Sequence, residues 1–237
     1  MTNQAIRRTD KTTIEALRRY GVATIHEAQS QTGLLHPDLR PIFSDVQVAG
    51  RAVTVLAHAG DNLAIHTAIP LCKPDDVLVV ALADDETDTA YGMFGELLGT
   101  SCLAHGISAL VIDSGVRDIR QLTELNFPVW SRAVSARGTI KQRPGAVNVP
   151  ILCAGQWVEP GDVVVADDDG VVIVSSKCAE QVMAAAENRE KQEAALRERL
   201  VQGELTLDLL NLRETLDPEH LKTTNASQKK TNRKEVQ

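Results

Sequence analysis

The stretch from Ala109 to Leu125 constrains the fold of this chain more than any other. Ala109-Leu-Val-Ile112 is short and apolar, which predicts a buried strand, and Asp118-Ile-Arg-Gln-Leu-Thr-Glu-Leu125 predicts a helix soon after it. A strand that turns directly into a helix is typical of α/β proteins, whose ligands collect at the carboxyl ends of strands beside helix N-termini. The sequence therefore predicts an α/β fold with a candidate ligand site where this strand ends.

Arg117 and Asp118 are adjacent at that predicted strand end. A fixed guanidinium binds a carboxylate or a developing oxyanion, and an Asp carboxylate is a hard oxygen ligand for Mg²⁺ or Mn²⁺. The pair therefore indicates a metal-assisted site for an anionic substrate. A salt bridge, with the Asp complementing the dipole of the following helix, is the alternative interpretation.

Helices and strands alternate along most of the chain. The patterns predict helices over 12–21, 24–33 and 89–105, a helix that Asp61 caps and that runs to Ile69, and strands over 46–56, 76–82, 109–112, 128–132, 147–153, 163–166 and 171–174. Thr24 and Glu27 match a capping box. Asp167-Asp-Asp-Gly170 predicts a tight hairpin turn rather than a calcium loop, because it lacks the acidic spacing of an EF-hand.

Three regions are predicted along the chain. Residues 1–176 form an α/β catalytic domain, 177–216 a C-terminal helical extension, and 217–237 a disordered tail. The extension comprises a charged helix over 177–200 and a shorter one over 204–215. The tail contains almost nothing apolar, so it buries too little surface to offset the entropy of ordering.

Charge and composition narrow the classes of partner. The 237 residues carry a formal net charge of −7 at pH 7, which argues against a general nucleic-acid-binding surface because phosphate contacts need clustered Lys and Arg. The four cysteines form no CxxC pair, residues 1–11 are polar, and no apolar run approaches the length of a membrane span. These patterns predict a reduced, soluble, cytoplasmic protein that binds neither nucleic acid nor membrane.

Glu96 precedes Arg117 by twenty intervening residues, an interval that a helix and a returning strand would fill. Glu96 and the Arg-Asp pair are therefore expected to face one pocket. Gly92 and Gly95 would let a ligand approach the backbone, and amides near 95–98 would receive a carboxylate if the helix starts or breaks there. Close helix packing is the alternative role for these glycines.

A glutamate, twenty residues and then Arg-Asp resemble the signature of the class II pyruvate aldolases. These are the 4-hydroxy-4-methyl-2-oxoglutarate and 4-carboxy-4-hydroxy-2-oxoadipate aldolases, which share a fold with the regulator of ribonuclease E activity A. The resemblance continues in Gly21-Val-Ala-Thr-Ile-His-Glu-Ala-Gln29, Pro41-Ile42, Gly60-Asp-Asn-Leu-Ala-Ile-His66, Gly92-Met-Phe-Gly-Glu-Leu-Leu98, Phe127-Pro-Val-Trp130, Val147-Asn-Val-Pro150, Pro160-Gly-Asp162 and Ala166-Asp-Asp-Asp-Gly-Val-Val172. The chain looks most like the carboxy-hydroxy-oxoadipate branch, which acts in protocatechuate and gallate degradation.

The resemblance implies a swivelling β/β/α domain that assembles as a homo-oligomer, either a trimer or a hexamer. It implies that Asp118 is the direct protein ligand of a divalent cation, Mg²⁺ or Mn²⁺, and that Arg117 contacts the pyruvyl oxygens of the substrate. The backbone amides expected to hold the substrate carboxylate are those of Gly95, Glu96, Leu97 and Leu98.

Two further acidic positions follow from the resemblance. Glu96 stands where some relatives carry an Asp, and it is expected to contact the metal through water. Glu193 is expected to reach the metal site of a neighbouring subunit, with a solvated glutamate on the charged helix as the alternative. Some relatives carry an acidic residue three positions after the signature Asp, where this chain has Gln121.

The implied function is retro-aldol cleavage of 4-carboxy-4-hydroxy-2-oxoadipate to pyruvate and oxaloacetate, with Arg117 and Glu96 as catalytic residues and oxaloacetate decarboxylation as a side activity. A Schiff-base mechanism is disfavoured, because no Lys lies in an apolar strand where desolvation would depress its pKa. A non-catalytic regulator that binds a ribonuclease is the alternative function. Methyl transfer to a quinone, a label that some relatives have carried, is disfavoured because no Gly-rich turn for adenosylmethionine stands out.

His26 and His66 are candidates for pocket or proton-transfer roles, with structural or surface roles as the alternative.

Overall fold

A computed structural model describes residues 9–83 and 91–216 of the protein. The strands are β1 Arg40–Pro41, β2 Val48–Ala57, β3 Asp76–Leu82, β4 Gly92–Phe94, β5 Ala109–Val116, β6 Val129–Val134, β7 Ala146–Val147, β8 Ile151–Cys153, β9 Gln156–Val158, β10 Val163–Asp167 and β11 Gly170–Val174. The helices are α1 Lys11–Ala28, α2 Leu63–Ala68, α3 Glu96–Ala104, α4 Ile119–Glu124, α5 Ala179–Val201 and α6 Thr206–Leu209, with 3₁₀ turns at Ile69–Leu71 and Leu212–Thr215. The predicted α/β class is confirmed.

One mixed sheet organises these elements. Within the described residues it has nine strands, in the order β1-β6-β5-β3-β2-β10-β11, with β4 added to β5 and β7 added to β2. The strands β2, β3, β5, β6 and β4 run parallel to their neighbours in this group, whereas β10 and β11 run antiparallel. The carboxyl ends of the parallel strands therefore meet at a single edge of the sheet, where ligands bind in open α/β folds.

Hydrophobic residues cover both faces of the parallel strands. In β3, Leu78 and Val80 belong to one buried cluster, and Val77 and Val79 belong to another. Successive side chains of a strand point to opposite faces, so a strand buried on both sides is a continuous apolar run. That requirement explains why β3 begins and ends at the residues that its sequence predicts, 76 and 82.

The predicted helix over 89–105 is wrong over residues 91–95, and residues 89 and 90 lie outside the described residues. Residues Gly92–Phe94 form the short strand β4, which pairs in parallel with Gly115 and Val116 of β5, and the helix begins only at Glu96. Gly92 and Gly95, which the sequence pattern places in a helix, have an extended backbone in the structure. A short strand carries too little periodicity to be distinguished from a helix by pattern alone.

An acidic residue of the β10–β11 hairpin caps the first helix. The helix α1 consists of two helical parts that meet at Gly21, whose φ of 74° and ψ of 170° are not helical. The predicted end of a first helix at this glycine is therefore confirmed, whereas the second part ends at Ala28 and not near residue 33. The first amide after the kink, that of Val22, donates to Asp167 Oδ2 at 2.8 Å. The cap is therefore supplied by Asp167 rather than by the predicted capping box at Thr24. The hairpin turn itself is confirmed, with Asp167 paired to Gly170.

The chain divides into two compact units, one that ends at Arg189 and one that begins at Glu190. In the first unit, Ala179, Val182 and Ala186 of α5 join a buried cluster with residues of α1, β10 and β11. The predicted limits of a catalytic domain at 176 and of a helical extension at 216 remain predictions. The predicted disordered tail, 217–237, lies outside the described residues. Among the described helices, none combines the length and apolar character needed to cross a bilayer.

We predict that Asp167→Ala lowers the free energy of unfolding by about 1 kcal/mol, the usual cost of deleting a helix cap, because the amide of Val22 loses its acceptor. Urea denaturation measures the change. Asp169→Ala is the matched control, since its side chain is exposed in the same turn, and it should shift stability by less than about 0.5 kcal/mol. Equal effects of the two substitutions would contradict the capping role.

Candidate active site

Arg117 and Asp118 follow the last residue of β5 at the carboxyl edge of the sheet. The backbone amide of Arg117 donates to the carbonyl oxygen of Phe94 at 2.9 Å, which extends the β4–β5 pairing by one residue. The next residue on the β4 side is Gly95, followed by Glu96 at the start of α3. The predicted meeting of the Glu96 region with the Arg-Asp pair is therefore what the fold produces.

Two glycines allow the Arg-Asp pair to approach the β4 backbone. A Cβ atom on Gly92 would lie 2.9 Å from Cβ of Arg117 and would also collide with the carbonyl oxygen of Ser135. A Cβ atom on Gly95 would collide with Asp118 Oδ2 and lie 3.0 Å from Cγ of Arg117. Contacts this short are not tolerated between real side chains, so the absence of a Cβ at both positions gives the pair its space. Gly99, by contrast, faces Leu122 of α4, which is the helix-packing role.

Asp118 adopts a left-handed backbone conformation, with φ 57° and ψ 39°. That conformation costs roughly 1–2 kcal/mol for a residue with a Cβ, although Asp tolerates it better than most. Its ion pair with Arg117, Nε to Oδ2 at 3.5 Å, joins side chains that are 43% and 40% exposed. An exposed pair of this kind contributes about 0–1 kcal/mol, so the ion pair alone does not account for the strain. Residues in sparsely populated backbone conformations cluster at functional sites, where the surrounding structure holds them in place.

The Asp118 carboxylate caps a helix other than its own. It makes no cap hydrogen bond to α4, the helix that it precedes. Its Oδ2 accepts instead from the backbone amide of Glu96 at 3.1 Å, the first residue of α3. Negative charge is favourable at a helix N-terminus. The carboxylate thus joins the N-terminus of α3 to the carboxyl end of β5.

The residues expected to bind the substrate carboxylate form the first turn of α3. The first amides of an α-helix have no acceptor within the helix, so the amides of Glu96, Leu97 and Leu98 point out of its N-terminus beside Gly95. Asp118 occupies the amide of Glu96. The Leu97 side chain is 79% exposed and that of Leu98 is buried. This arrangement can bind an anion next to Arg117.

The Glu96 side chain points along its own helix. Its Oε1 accepts a hydrogen bond from Thr100 Oγ1 at 3.1 Å, one turn further along α3. The backbone of Glu96 therefore contributes to the site in the structure. A water-mediated contact between its carboxylate and a metal remains a prediction.

Asp118 fits a divalent cation that is held mainly by water and substrate. Its carboxylate is partly exposed, and Oδ1 has no hydrogen-bond partner among residues 9–83 and 91–216. Within the same residues, no three His, Cys, Asp or Glu side chains cluster to form a metal site. Mg²⁺ keeps several waters and is commonly bound through one or two carboxylates. The donor set therefore suits Mg²⁺ or Mn²⁺.

Residues 135–143, here called the strap, follow β6 along the same edge of the sheet. The Ser135 amide donates to the Val116 carbonyl at 2.9 Å, and the amide of Gly92 donates to the carbonyl of Arg137 at 2.8 Å. Gly138 lies next to Arg117, since a Cβ atom on it would be 3.7 Å from Nη1. The strap therefore borders the Arg117 guanidinium at Gly138.

Asp61 is a buried carboxylate that fixes the far end of the strap. Its Oδ2 accepts from the amides of Gln142 and Arg143 at 2.9 and 2.8 Å, and its Oδ1 accepts from the amide of Leu63 at 3.1 Å. The side chain is 1% exposed. Burial raises the pKa of Asp61, but the amides that it accepts from, together with His58, outweigh burial and hold that pKa below its usual range.

Comparison with known proteins identifies the family. The model of the RraA-like family, described as Aldolase/RraA, matches residues 22–173, which include β5, Arg117, Asp118 and the strap. The chain belongs to the Aldolase/RraA family.

Individual relatives agree with this assignment. A protein of Halalkalibacterium halodurans named "Putative 4-hydroxy-4-methyl-2-oxoglutarate aldolase" is 32% identical over 188 residues, covering 79% of this chain and 88% of that protein. A protein of the same name from Burkholderia multivorans is 30% identical over 151 residues, covering 62% of this chain and 90% of that protein. The crystal structure of Streptomyces coelicolor RraAS2, described as an unusual member of the RNase ES inhibitor RraA protein family, superposes with a TM-score of 0.70 at 27% identity over 80% of this chain and 98% of that one. These matches confirm the predicted family and fold.

The other residues singled out from the sequence of this Aldolase/RraA chain lie on helices other than α3, whose first turn borders Arg117 and Asp118. His26 is on α1, which packs against β10 and β11 rather than at the carboxyl edge of β5. His66 is on α2, and burial, followed by the charge of Lys141, lowers its pKa. Gln121 is an exposed residue of α4. Glu193 belongs to the second unit, and its role at a neighbouring subunit remains a prediction.

The lysines do not favour Schiff-base chemistry at this family site. Lys11 is exposed and bonded to Asp75 at 3.0 Å, a hydrogen bond that raises the pKa of the lysine. A Schiff-base lysine requires the opposite shift. Lys141 and Lys177 are exposed as well.

Sequence reasoning missed the strap and its anchor. The predicted cap at Asp61 is present, since its Oδ1 accepts from the amide of Leu63, the first residue of α2, but the sequence does not predict that Oδ2 holds two residues of the strap. No periodic pattern marks 135–143, which has almost no regular structure. The only sequence feature near this contact is Gly60-Asp61-Asn62, which is part of the family resemblance. It does not indicate that Asp61 contacts a segment about 80 residues further along the chain.

We predict that Asp61→Asn destabilises the protein in a pH-dependent way. A carboxylate whose pKa is lowered on folding contributes stability above its unfolded pKa, near 3.9, and loses that contribution as the pH falls through the folded value. The difference in unfolding free energy between wild type and Asp61→Asn should therefore be constant above about pH 5 and shrink towards pH 3. Urea titrations at several pH values measure it. A difference that grows on acidification would contradict a buried, amide-bound carboxylate.

Proposed function

We propose that this protein is a divalent-metal-dependent carbon–carbon lyase that cleaves 4-carboxy-4-hydroxy-2-oxoadipate to pyruvate and oxaloacetate. One observation carries the proposal. The guanidinium of Arg117 and the carboxylate of Asp118 lie together at the N-terminus of α3, at the carboxyl edge of the sheet. The named relatives support an aldolase, and the choice of substrate among 4-hydroxy-2-oxo acids is part of the proposal.

The reaction requires a place for one developing negative charge. The C4 hydroxyl loses its proton, the bond between C3 and C4 breaks, and C4 becomes the carbonyl carbon of oxaloacetate. The electron pair of that bond passes into the C2–C3 unit as pyruvate enolate, and protonation at C3 then gives pyruvate. Most of the barrier is the charge on the enolate oxygen, so catalysis depends on groups that favour that charge.

The residues of the site match this demand. Arg117 would donate to the pyruvyl oxygens and favour the enolate over the ketone, and the first-turn amides of α3 would hold the C1 carboxylate. Asp118 would hold a divalent cation, which when bound supplies Lewis-acid stabilisation of the oxygen. The absence of a Cβ at Gly92 and Gly95 lets Arg117 lie against the β4 backbone, which limits the reorganisation needed during reaction.

Several finer assignments belong to the same proposal. They are Glu96 as a water-mediated metal contact, Glu193 as a contribution from a neighbouring subunit, a trimeric or hexameric assembly, cytoplasmic location and oxaloacetate decarboxylation as a side activity. The last follows from the chemistry, because loss of CO₂ from oxaloacetate also generates pyruvate enolate. A role in the degradation of protocatechuate-type aromatic compounds would supply the substrate.

A non-catalytic regulator of a ribonuclease is the second candidate. The solved structure from the RNase ES inhibitor family supports it, as does the formal net charge of −7, which suits a basic partner. This function does not require an ordered Arg117–Asp118 pair. Tight binding to a basic ribonuclease segment without turnover of any oxo acid would favour the regulator.

We predict that Arg117→Ala lowers kcat/KM for pyruvate release by at least about 10²–10³, the usual cost of removing a donor to a developing oxyanion. A coupled pyruvate assay measures the rate, and thermal unfolding tests the fold, which should persist because the Arg117 side chain is about half exposed. Exhaustive chelation of wild type should abolish activity, and added Mg²⁺ or Mn²⁺ should restore it. Full activity of Arg117→Ala, or activity that chelation leaves unchanged, would overturn the mechanism.

We predict opposite outcomes for two glycine substitutions at α3. Gly95→Ala places a methyl group against Asp118 Oδ2, so it should abolish turnover with little loss of stability, because the extended backbone of Gly95 accepts any residue. Gly99→Ala places a methyl group 2.6 Å from Cδ2 of the fully buried Leu122, so it should cost about 1–3 kcal/mol of stability and retain most of the activity. Paired unfolding and pyruvate assays separate the two effects. The same phenotype at both positions would contradict the assignment of Gly95 to the site.

A further inference from the structure

We propose that Arg137 binds a carboxylate of the substrate beyond its pyruvyl half, and thereby selects 4-hydroxy-2-oxo acids that carry a carboxylate at or beyond C4. This inference rests on the proposed function and adds a specificity-determining residue to it. Arg117, Asp118 and the first turn of α3 serve the C1–C2 end of the substrate. The remaining carboxylates of 4-carboxy-4-hydroxy-2-oxoadipate require a further cation nearby.

Arg137 is attached to the same backbone that positions Arg117. Its carbonyl oxygen accepts from the amide of Gly92 at 2.8 Å, and a Cβ atom on Gly92 would lie 2.9 Å from Cβ of Arg117. The following residue, Gly138, borders Nη1 of Arg117. The two arginines therefore lie on adjacent segments at one edge of the sheet, with Arg137 on the strap.

The guanidinium of Arg137 rests on an aromatic ring. Its Cζ lies 4.0 Å from the centroid of the Tyr91 ring. The ring in turn packs against Gly60, where a Cβ atom would lie 2.8 Å from Cζ of Tyr91. Stacking uses the face of a guanidinium and leaves its edge N–H groups free for an in-plane, bidentate carboxylate. The platform therefore orients Arg137 without using its hydrogen-bond donors.

Arg137 differs from other arginines in how its charge is used. Arg132 pairs with Asp113 and Asp38, and Arg120 pairs with Glu124 within α4. Among residues 9–83 and 91–216, no carboxylate lies at ion-pair distance from Arg137. The side chain is exposed at the carboxyl edge of the sheet. Within the described part of the chain, its donors are thus available to an anionic ligand beside Arg117.

The other charges of the strap are disposed differently. The amide of Arg143 is bound to Asp61 at the anchored end, and Lys141 is close enough to His66 to influence its pKa. Both belong to the part of the strap held near α2. Arg137 belongs to the part of the strap that is held against β4 and Arg117. It is therefore the strap residue best placed to bind a substrate carboxylate beyond the pyruvyl half.

The test is substrate selectivity. Values of kcat/KM are measured for 4-carboxy-4-hydroxy-2-oxoadipate and for 4-hydroxy-2-oxopentanoate, which has a methyl group beyond C4 and no further carboxylate. In Arg137→Gln the ratio of the first value to the second should fall by about 10- to 100-fold, mostly through KM, as expected for loss of a charge-assisted bidentate contact. Arg120→Gln, an exposed arginine on α4, is the matched control and should keep the wild-type ratio.

A second variant tests the platform. Tyr91→Leu removes the aromatic face and leaves Arg137 in the chain, so it should lower the same ratio by a smaller factor, about 3- to 10-fold. Circular dichroism and thermal unfolding of each variant verify the fold. An unchanged ratio in Arg137→Gln, an equal loss for both substrates, or complete inactivity towards both would overturn the role of Arg137.

The wild-type protein distinguishes this inference from the function on which it rests. Exchange of the pyruvate methyl protons with deuterium, followed by NMR with Mg²⁺ present, depends on enolate stabilisation and on no further carboxylate. If wild type neither exchanges these protons nor cleaves either substrate, the proposed function fails and the inference fails with it. If wild type does both and the selectivity ratio does not respond to Arg137→Gln, only the inference fails.

Discussion

The close packing of β4 against the end of β5 is the constraint on which the candidate site depends. The hydrogen bond from Arg117 to Phe94 continues the parallel pairing beyond β5, and Gly92 and Gly95 let the Arg117 and Asp118 side chains lie directly against that backbone. A Cβ atom at Gly92 would collide with the Ser135 carbonyl oxygen and with Arg117, and one at Gly95 would displace the Asp118 carboxylate. Because protein interiors respond to shifts of less than an ångström, this packing fixes the guanidinium and the carboxylate relative to one another.

The consequence is an electrostatic arrangement that one segment alone cannot make. The Asp118 carboxylate lies at the positive end of α3 while the chain continues into α4. One negative group is thereby held by a helix amide and by Arg117, with an oxygen available to a cation. In the proposed function, an anionic substrate would meet the remaining amides of the same helix turn. Opposite charges are thus placed within a few ångströms, which suits a reaction that moves negative charge onto one oxygen.

The strap borders the site at Gly138 and Arg137. Asp61 binds two of its amides through a carboxylate that is 1% exposed, and the Gly92–Arg137 hydrogen bond fixes its opposite end. A segment without helix or strand is therefore held at both ends by buried or backbone hydrogen bonds. Loops that are positioned by a rigid sheet commonly carry specificity, because they can vary without disturbing the fold. Arg137 on its Tyr91 platform is the side chain of the strap that suits this role.

The sequence by itself determined the parts that depend on local pattern. The apolar run of β3, the turn at Asp167–Gly170 and the Arg117–Asp118 junction after an apolar strand are encoded by neighbouring residues, and the family resemblance added the roles of the pair. The tertiary structure alone decided that Gly92–Phe94 is a strand, that Asp167 caps α1, that Asp118 caps α3 and that Asp61 anchors the strap. Each of these depends on groups 22 to 145 residues apart in the chain, or on pairing with β5. Periodicity reports which face of an element is buried, whereas a hydrogen bond between distant segments exists only once packing has brought them together.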